Sequence, residues 1–228
     1  RSFTSRCSLP GAPSGRSPSG QQPTFVHRIQ LLDQKRSPKK LMKVVIVGNS
    51  GSGKTSLASH LAAATSVPVV HLDEIFWQPG GFDVKRQPTE IAALIEAARC
   101  SAAWVVEGVS GELAAKFLDD ADVLIWLELD WTACEARLFS RGSESKAHMA
   151  RVQSEAGLTK LLAWASSYQS RNDAQSFLGH LSLFKTFEGP KARLRSEDEV
   201  ASFLAAARRD GLIEASRVFA GGHSDSGV

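Results

Sequence analysis

One octet limits what this chain can fold into more than any other feature: Gly48, Asn49, Ser50, Gly51, Ser52, Gly53, Lys54 and Thr55. It follows Lys-Val-Val-Ile-Val at 43–47, a β-branched run typical of a strand buried on both faces. It precedes residues 56–64, where Leu57 and Leu61 are spaced for one helical face. Gly48, Gly51 and Gly53 allow backbone conformations closed to residues with a Cβ, and they leave room for anionic oxygens. The amides of residues 50–55 can then converge as an anion nest at the positive end of the helix. Lys54 is placed to reach the β- and γ-phosphates of a nucleotide, and the Thr55 hydroxyl to ligate Mg²⁺. The reading is a nucleotide-phosphate cradle running from Gly48 to the adjoining Ser56.

The rest of the pattern alternates strand and helix. Strands are expected at 68–72, 104–106, 123–127 and 191–194. Pro88 suits the first turn of a helix over about 89–99. Asp130 is a candidate N-cap for a helix reaching Arg141, and 156–169 reads as helical. Ser196-Glu197-Asp198-Glu199 has the capping-box form and opens a last helix ending near Arg208. Such alternation predicts an α/β fold: a three-layer sandwich of about five parallel strands with helices on both faces. The expected division is a disordered extension at 1–41, one folded domain at 42–210 and a Gly/Ser-rich disordered tail at 211–228. The Ser, Pro, Gly and Arg content of 1–41 fits either an upstream extension or a transit peptide.

Charge argues against one class of partner. Eight of the 27 Lys/Arg but only one of the 24 acids, Asp33, lie in 1–41, so the remainder carries a net −4. A mildly acidic folded core gives no footing for nucleic acid. No apolar run approaches the ~20 residues of a membrane-spanning helix. Cys7, Cys100 and Cys134 are odd in number, far apart and without ligand spacing. That pattern argues for a reducing, cytoplasmic compartment and against a disulfide framework or structural zinc.

Phosphoryl chemistry also needs acids and arginines, sought at the carboxyl ends of the strands. Asp73 ends the second expected strand, where a carboxylate can hold Mg²⁺ through water or hydrogen-bond an acceptor hydroxyl. Glu107 and Gly108 end the third. Glu107 fits either a metal-site acid or an acceptor contact, and Gly108 would let a ligand approach. Trp77 lies in a loop over 76–82 that can wall an acceptor pocket. Arg137 and Arg141, four apart, share a helical face and flank a short segment, 142–150, able to close over the site. Arg171 lies further on.

In order along the chain come the octet, His71-Leu-Asp-Glu-Ile-Phe-Trp77, Trp104-Val-Val-Glu-Gly108 and Ala121-Asp-Val-Leu-Ile-Trp-Leu127. Leu138-Phe-Ser-Arg141 and Gly189-Pro-Lys-Ala-Arg-Leu-Arg-Ser196 complete the series. Over about 42–208 the chain resembles the adenylate-kinase-related P-loop kinases of bacteria, particularly the group labelled topology modulation protein. The resemblance implies the nucleoside-monophosphate-kinase strand order, ATP with Mg²⁺ and a small lid bearing Arg137 and Arg141. It also implies a phosphate-facing role for Arg171 and an acceptor or Mg²⁺ contact for Asp73. The chain departs from adenylate kinases at Glu107-Gly-Val-Ser-Gly111, which lacks the arginine that grips an acceptor phosphate. The expected activity is transfer of the ATP γ-phosphoryl to an unidentified small acceptor, with Lys54, Asp73, Arg137 and Arg141 as catalytic groups. A nucleotide-dependent regulatory or DNA-topology-associated ATPase, and nucleotide binding with negligible catalysis, are the other readings.

Overall fold

The computed structural model describes residues 42–79, 84–141 and 155–221. Its first strand, β1 (Lys43–Gly48), is buried from Val44 onward, as its unbroken apolar run requires. Four more strands lie parallel with it: β2 (Val69–His71), β3 (Trp104–Gly108), β4 (Val123–Leu127) and β5 (Lys191–Leu194). Their order across the sheet is β2-β3-β1-β4-β5, the order expected from the resemblance.

The pleat sends alternate side chains to opposite layers. Val44 and Ile46 join Val105, Val123 and Ile125 in one core, with Leu57, Ala58 and Leu61 of α1 (Lys54–Thr65). Val45 and Val47 join Trp104, Val106, Leu124 and Trp126 in the other. That second layer is closed by α2 (Leu72–Phe76), α3 (Pro88–Arg99) and α4 (Gly111–Ala115). The remaining helices are α5 (Trp131–Arg141), α6 (Glu155–Ser166), α7 (Phe177–Thr186), α8 (Glu197–Asp210) and α9 (Leu212–Val218). Phe184 of α7 packs in the second layer and Phe203 of α8 in the first. The fold is therefore an α/β P-loop sandwich. No helix among the described residues is long and apolar enough to cross a membrane.

Two expectations need correction. Strand β2 stops at His71, and Leu72 already begins α2, so Asp73 sits in a first helical turn rather than at a strand end. Residues 212–221 do not form a loose tail. Ala215 and Ser216 of α9 are buried, Arg193 donates its backbone N–H to Phe219 O at 3.1 Å, and Phe219 meets Phe203 edge-on at 5.7 Å. The apolar spacing of Leu212, Ile213, Ala215 and Phe219 outweighs the glycines and serines around it. Cys134 is a buried free thiol. The expected lid segment 142–150 and the glycines of the 76–82 loop lie outside the described residues.

The capping box holds in part. Ser196 Oγ accepts the Glu199 N–H at 3.1 Å, but the Glu199 carboxylate reaches back to the amide of Arg195, one residue beyond the cap.

Candidate functional site

The loop between β1 and α1 is built as its glycines demand. Gly51 and Gly53 hold φ of 80° and 94°. A Cβ at Gly51 would lie 2.3 Å from Cys134 O, so the loop can press on α5 only without a side chain there. Helix α1 begins at Gly53 with no side-chain cap, leaving its first amides without a capping oxygen from a side chain of the chain. Lys54, 4% exposed, folds over the loop and donates to Asn49 O at 2.7 Å. Positive-φ glycines, an uncapped helix start and a buried lysine inside the same loop fit a polyphosphate.

Beside the loop stands a carboxylate from the neighbouring strand. Glu107, at the end of β3 and 1% exposed, accepts the Thr55 hydroxyl at 3.0 Å on Oε1. The same oxygen lies 2.7 Å from His71 Nδ1 at the end of β2, opposite Glu107 in register. Three adjacent strands, β2, β3 and β1, thus bring one imidazole, one carboxylate and the cradle's threonine together. These oxygens fit the hard-cation preference of Mg²⁺. Asp73 is half-buried in α2, two residues past His71. Gly108 is closely packed: a Cβ there would come within 2.7 Å of Leu72 Cβ. Trp77 caps the C-terminus of α2, donates its N–H to Asp73 O at 2.9 Å and stands edge-on to Phe76.

The arginines separate. Arg137 Nη1 donates to Ser52 O at 2.9 Å, and Nη2 to Glu197 at 2.7 Å on α8. It therefore grips the carbonyl side of the loop, not the amide side. There it lines a cavity of about 260 Å³ with Ser56, Leu57, His60, Leu127, Val200 and Leu204. Arg141 is partly buried. Burial lowers its pKa, opposed by the charge of Asp73, which places those two groups within electrostatic reach. Arg171 stacks on Trp164 at 4.0 Å and donates to Gln175 O at 2.9 Å, while its Nη1 is buried with no hydrogen-bond partner among the described residues. Burial lowers its pKa too, with Asp173 opposing.

A buried polar chain supports this side of the site. Trp126 Nε1 donates to Tyr168 Oη at 3.1 Å, Tyr168 Oη lies 2.7 Å from His180 Nδ1, and His180 Nε2 lies 2.8 Å from Val109 O. A carbonyl only accepts, so Nε2 carries the proton and Nδ1 accepts from Tyr168. Burial pushes His180 down to about 4 and the Tyr168 phenol up. His180 feels the charges of both Lys54 and Arg171, so both lie within electrostatic reach of it.

Of the residues expected from sequence, the structure gathers the octet, Ser56, Glu107 and Arg137 around one loop, with Asp73 and Arg141 within electrostatic reach of each other. Trp77 sits one turn from Asp73, and Arg171, beyond the end of α6, stacks back on Trp164 of that helix. Sequence reasoning assigned no role in the site to His71 or to Glu197. For His71 a signal existed: it stands two residues before Asp73 at a strand end.

No protein-family model matches this chain. It is similar to a cytidylate kinase of Methanosphaerula palustris, 30% identical over 113 residues. That match covers 45% of this chain and 64% of the relative, so the chain spans less than two thirds of the relative's length. Among solved structures, a gluconokinase of Sinorhizobium meliloti superposes with a TM-score of 0.45 and 16% identity, covering 80% of this chain and 95% of that one. A shikimate kinase of Bacteroides thetaiotaomicron gives 0.42 and 12%, covering 76% and 98%.

Proposed function

We propose that this chain is an adenylate-kinase-related phosphotransferase that moves the γ-phosphoryl of ATP to a small acceptor, its catalytic unit running from residue 42 through the α9 helix. The observation that carries the reading is the Thr55 hydroxyl held on Glu107 beside a lysine-bearing glycine cradle. Loop amides and Lys54 hold the donor phosphates, and Arg141 adds positive charge as the acceptor side closes. Thr55, with Glu107 behind it, and Asp73 would hold Mg²⁺, which when bound offsets charge on the transferring oxygens. We assign the nucleobase to the cavity between α1 and α8, where Arg137, held by Glu197, forms part of the rim.

On the acceptor side, Asp73 accepts a hydrogen bond from an attacking hydroxyl, and Trp77 walls the pocket. Arg171, whose Nε and Nη1 are buried without a hydrogen-bond partner among the described residues although Nε lies 3.5 Å from Asp173, answers an anionic group on the acceptor. The similarity to a cytidylate kinase favours nucleoside monophosphates as the first class to try. The test is ADP release from Mg·ATP across nucleoside monophosphates, nucleosides and small hydroxylated metabolites. Release that depends on one acceptor class supports the reading; release indifferent to every acceptor refutes it.

A further inference from the structure

We infer that His71 is a positioning residue for the metal end of the site: it fixes the Glu107 carboxylate in the orientation that holds the Thr55 hydroxyl. The inference rests on the phosphate-cradle reading above and goes beyond it, since His71 itself touches neither nucleotide nor acceptor in that account.

Two hydrogen bonds end on a single oxygen. Glu107 Oε1 lies 2.7 Å from His71 Nδ1 and 3.0 Å from Thr55 Oγ1. An ionised carboxylate only accepts, so both hydrogens point at Glu107. A threonine hydroxyl has one proton. Once that proton is committed to Glu107, the oxygen's lone pairs are what it can offer a cation. The rotamer of Thr55 is therefore set by Glu107, and a glutamate side chain has three torsions of its own to fix.

His71 supplies that fixation. It is 9% exposed, ends β2, and faces Glu107 in a parallel register that backbone hydrogen bonds determine. Support of a liganding group by a buried hydrogen-bond partner behind it is a general device for tuning metal affinity. The placement has a second consequence. Leu72, the next residue, opens α2, whose first turn carries Asp73. One short side-chain path thus connects the acceptor-side helix to the cradle's threonine.

The experiment measures affinity for a non-hydrolysable ATP analogue in EDTA and in Mg²⁺, with thermal midpoints alongside. The variants are H71N, H71Q, E107Q and the double H71Q/E107Q. Asparagine can place its amide nitrogen near where Nδ1 stands; glutamine places its own near Nε2. In EDTA all variants bind like wild type, because the loop amides and Lys54 are untouched. In Mg²⁺, H71N keeps the tightening seen in wild type, whereas H71Q and E107Q each lose about tenfold of it. The double variant loses no more than E107Q alone.

Full Mg²⁺ tightening in H71Q would overturn the inference. So would equal losses with and without Mg²⁺ in both histidine variants, or losses that add in the double variant. A wild-type protein that binds the analogue under neither condition would instead contradict the phosphate-cradle reading itself.

Discussion

The side-chain amide of Asn49 donates to the carbonyl of Ala165 at 2.9 Å, across 116 residues of chain, joining the second residue of the nucleotide loop to α6. Asn49 is buried, and its Oδ1 also accepts the Ser50 amide at 2.8 Å. Replacing it with alanine strands a buried carbonyl and frees the loop from α6. Asn49→Ala should lower the unfolding free energy by about 1–3 kcal/mol in urea denaturation. An unchanged midpoint would show that this link contributes nothing to the loop.

Gly51→Ala tests the loop from its other side. The added Cβ would lie 2.3 Å from Cys134 O and 3.0 Å from Leu138 Cγ, on a backbone already at φ 80°. The Cys134 carbonyl is backbone and cannot yield without moving α5, so Arg137 loses its hold on the Ser52 carbonyl. The strained residue costs about 1–3 kcal/mol, and nucleotide binding by calorimetry should fall with it. Binding and stability equal to wild type would mean that α5 is free to shift.

His180 predicts a pH dependence. Its ordinary value of 6.5 is pushed down to about 4 by burial, against the favourable bond to Val109. The unfolded chain takes up a proton near pH 6.5 that the folded chain refuses until about pH 4. Stability from this group is therefore whole above 6.5 and is lost as pH falls through that window, by on the order of 3 kcal/mol. Denaturation of His180→Gln between pH 7 and pH 4 should show a shallower decline than wild type. Parallel slopes would contradict the assignment.

Arg137 separates binding from folding. Its ion pair with Glu197 is partly exposed, and such pairs contribute about 0–1 kcal/mol. Arg137→Ala should leave the thermal midpoint nearly unmoved. Loss of the rim of the α1–α8 cavity should weaken ATP about tenfold, the scale of one charge-assisted hydrogen bond. The reverse pattern, a large stability loss with ATP affinity intact, would make Arg137 a structural clamp.

These residues mark how far sequence alone could go. The cradle was legible because positive φ and close approach demand glycine at fixed spacing, and Gly51 and Gly53 show both. Glu107 was legible as an acid ending a buried strand. Its partnership with His71 was not, since that depends on β2 lying beside β3, which no local pattern encodes. Spacing placed Arg137 and Arg141 on one helix, but their environments are set by Glu197 and Asp73, 60 residues downstream of Arg137 and well upstream of Arg141. The helix α9 was hidden by composition: its burial comes from packing on β5 and Phe203, a tertiary term that outweighs glycine and serine propensity.

Phosphorus NMR of the wild-type protein and Lys54→Ala with Mg·ATP and the acceptor panel tests the central claim most directly. The account predicts that wild type forms ADP and a phosphorylated acceptor in equal amounts, with inorganic phosphate flat, and that Lys54→Ala forms neither. ATP lost only to inorganic phosphate, or the same transfer by Lys54→Ala, would contradict it.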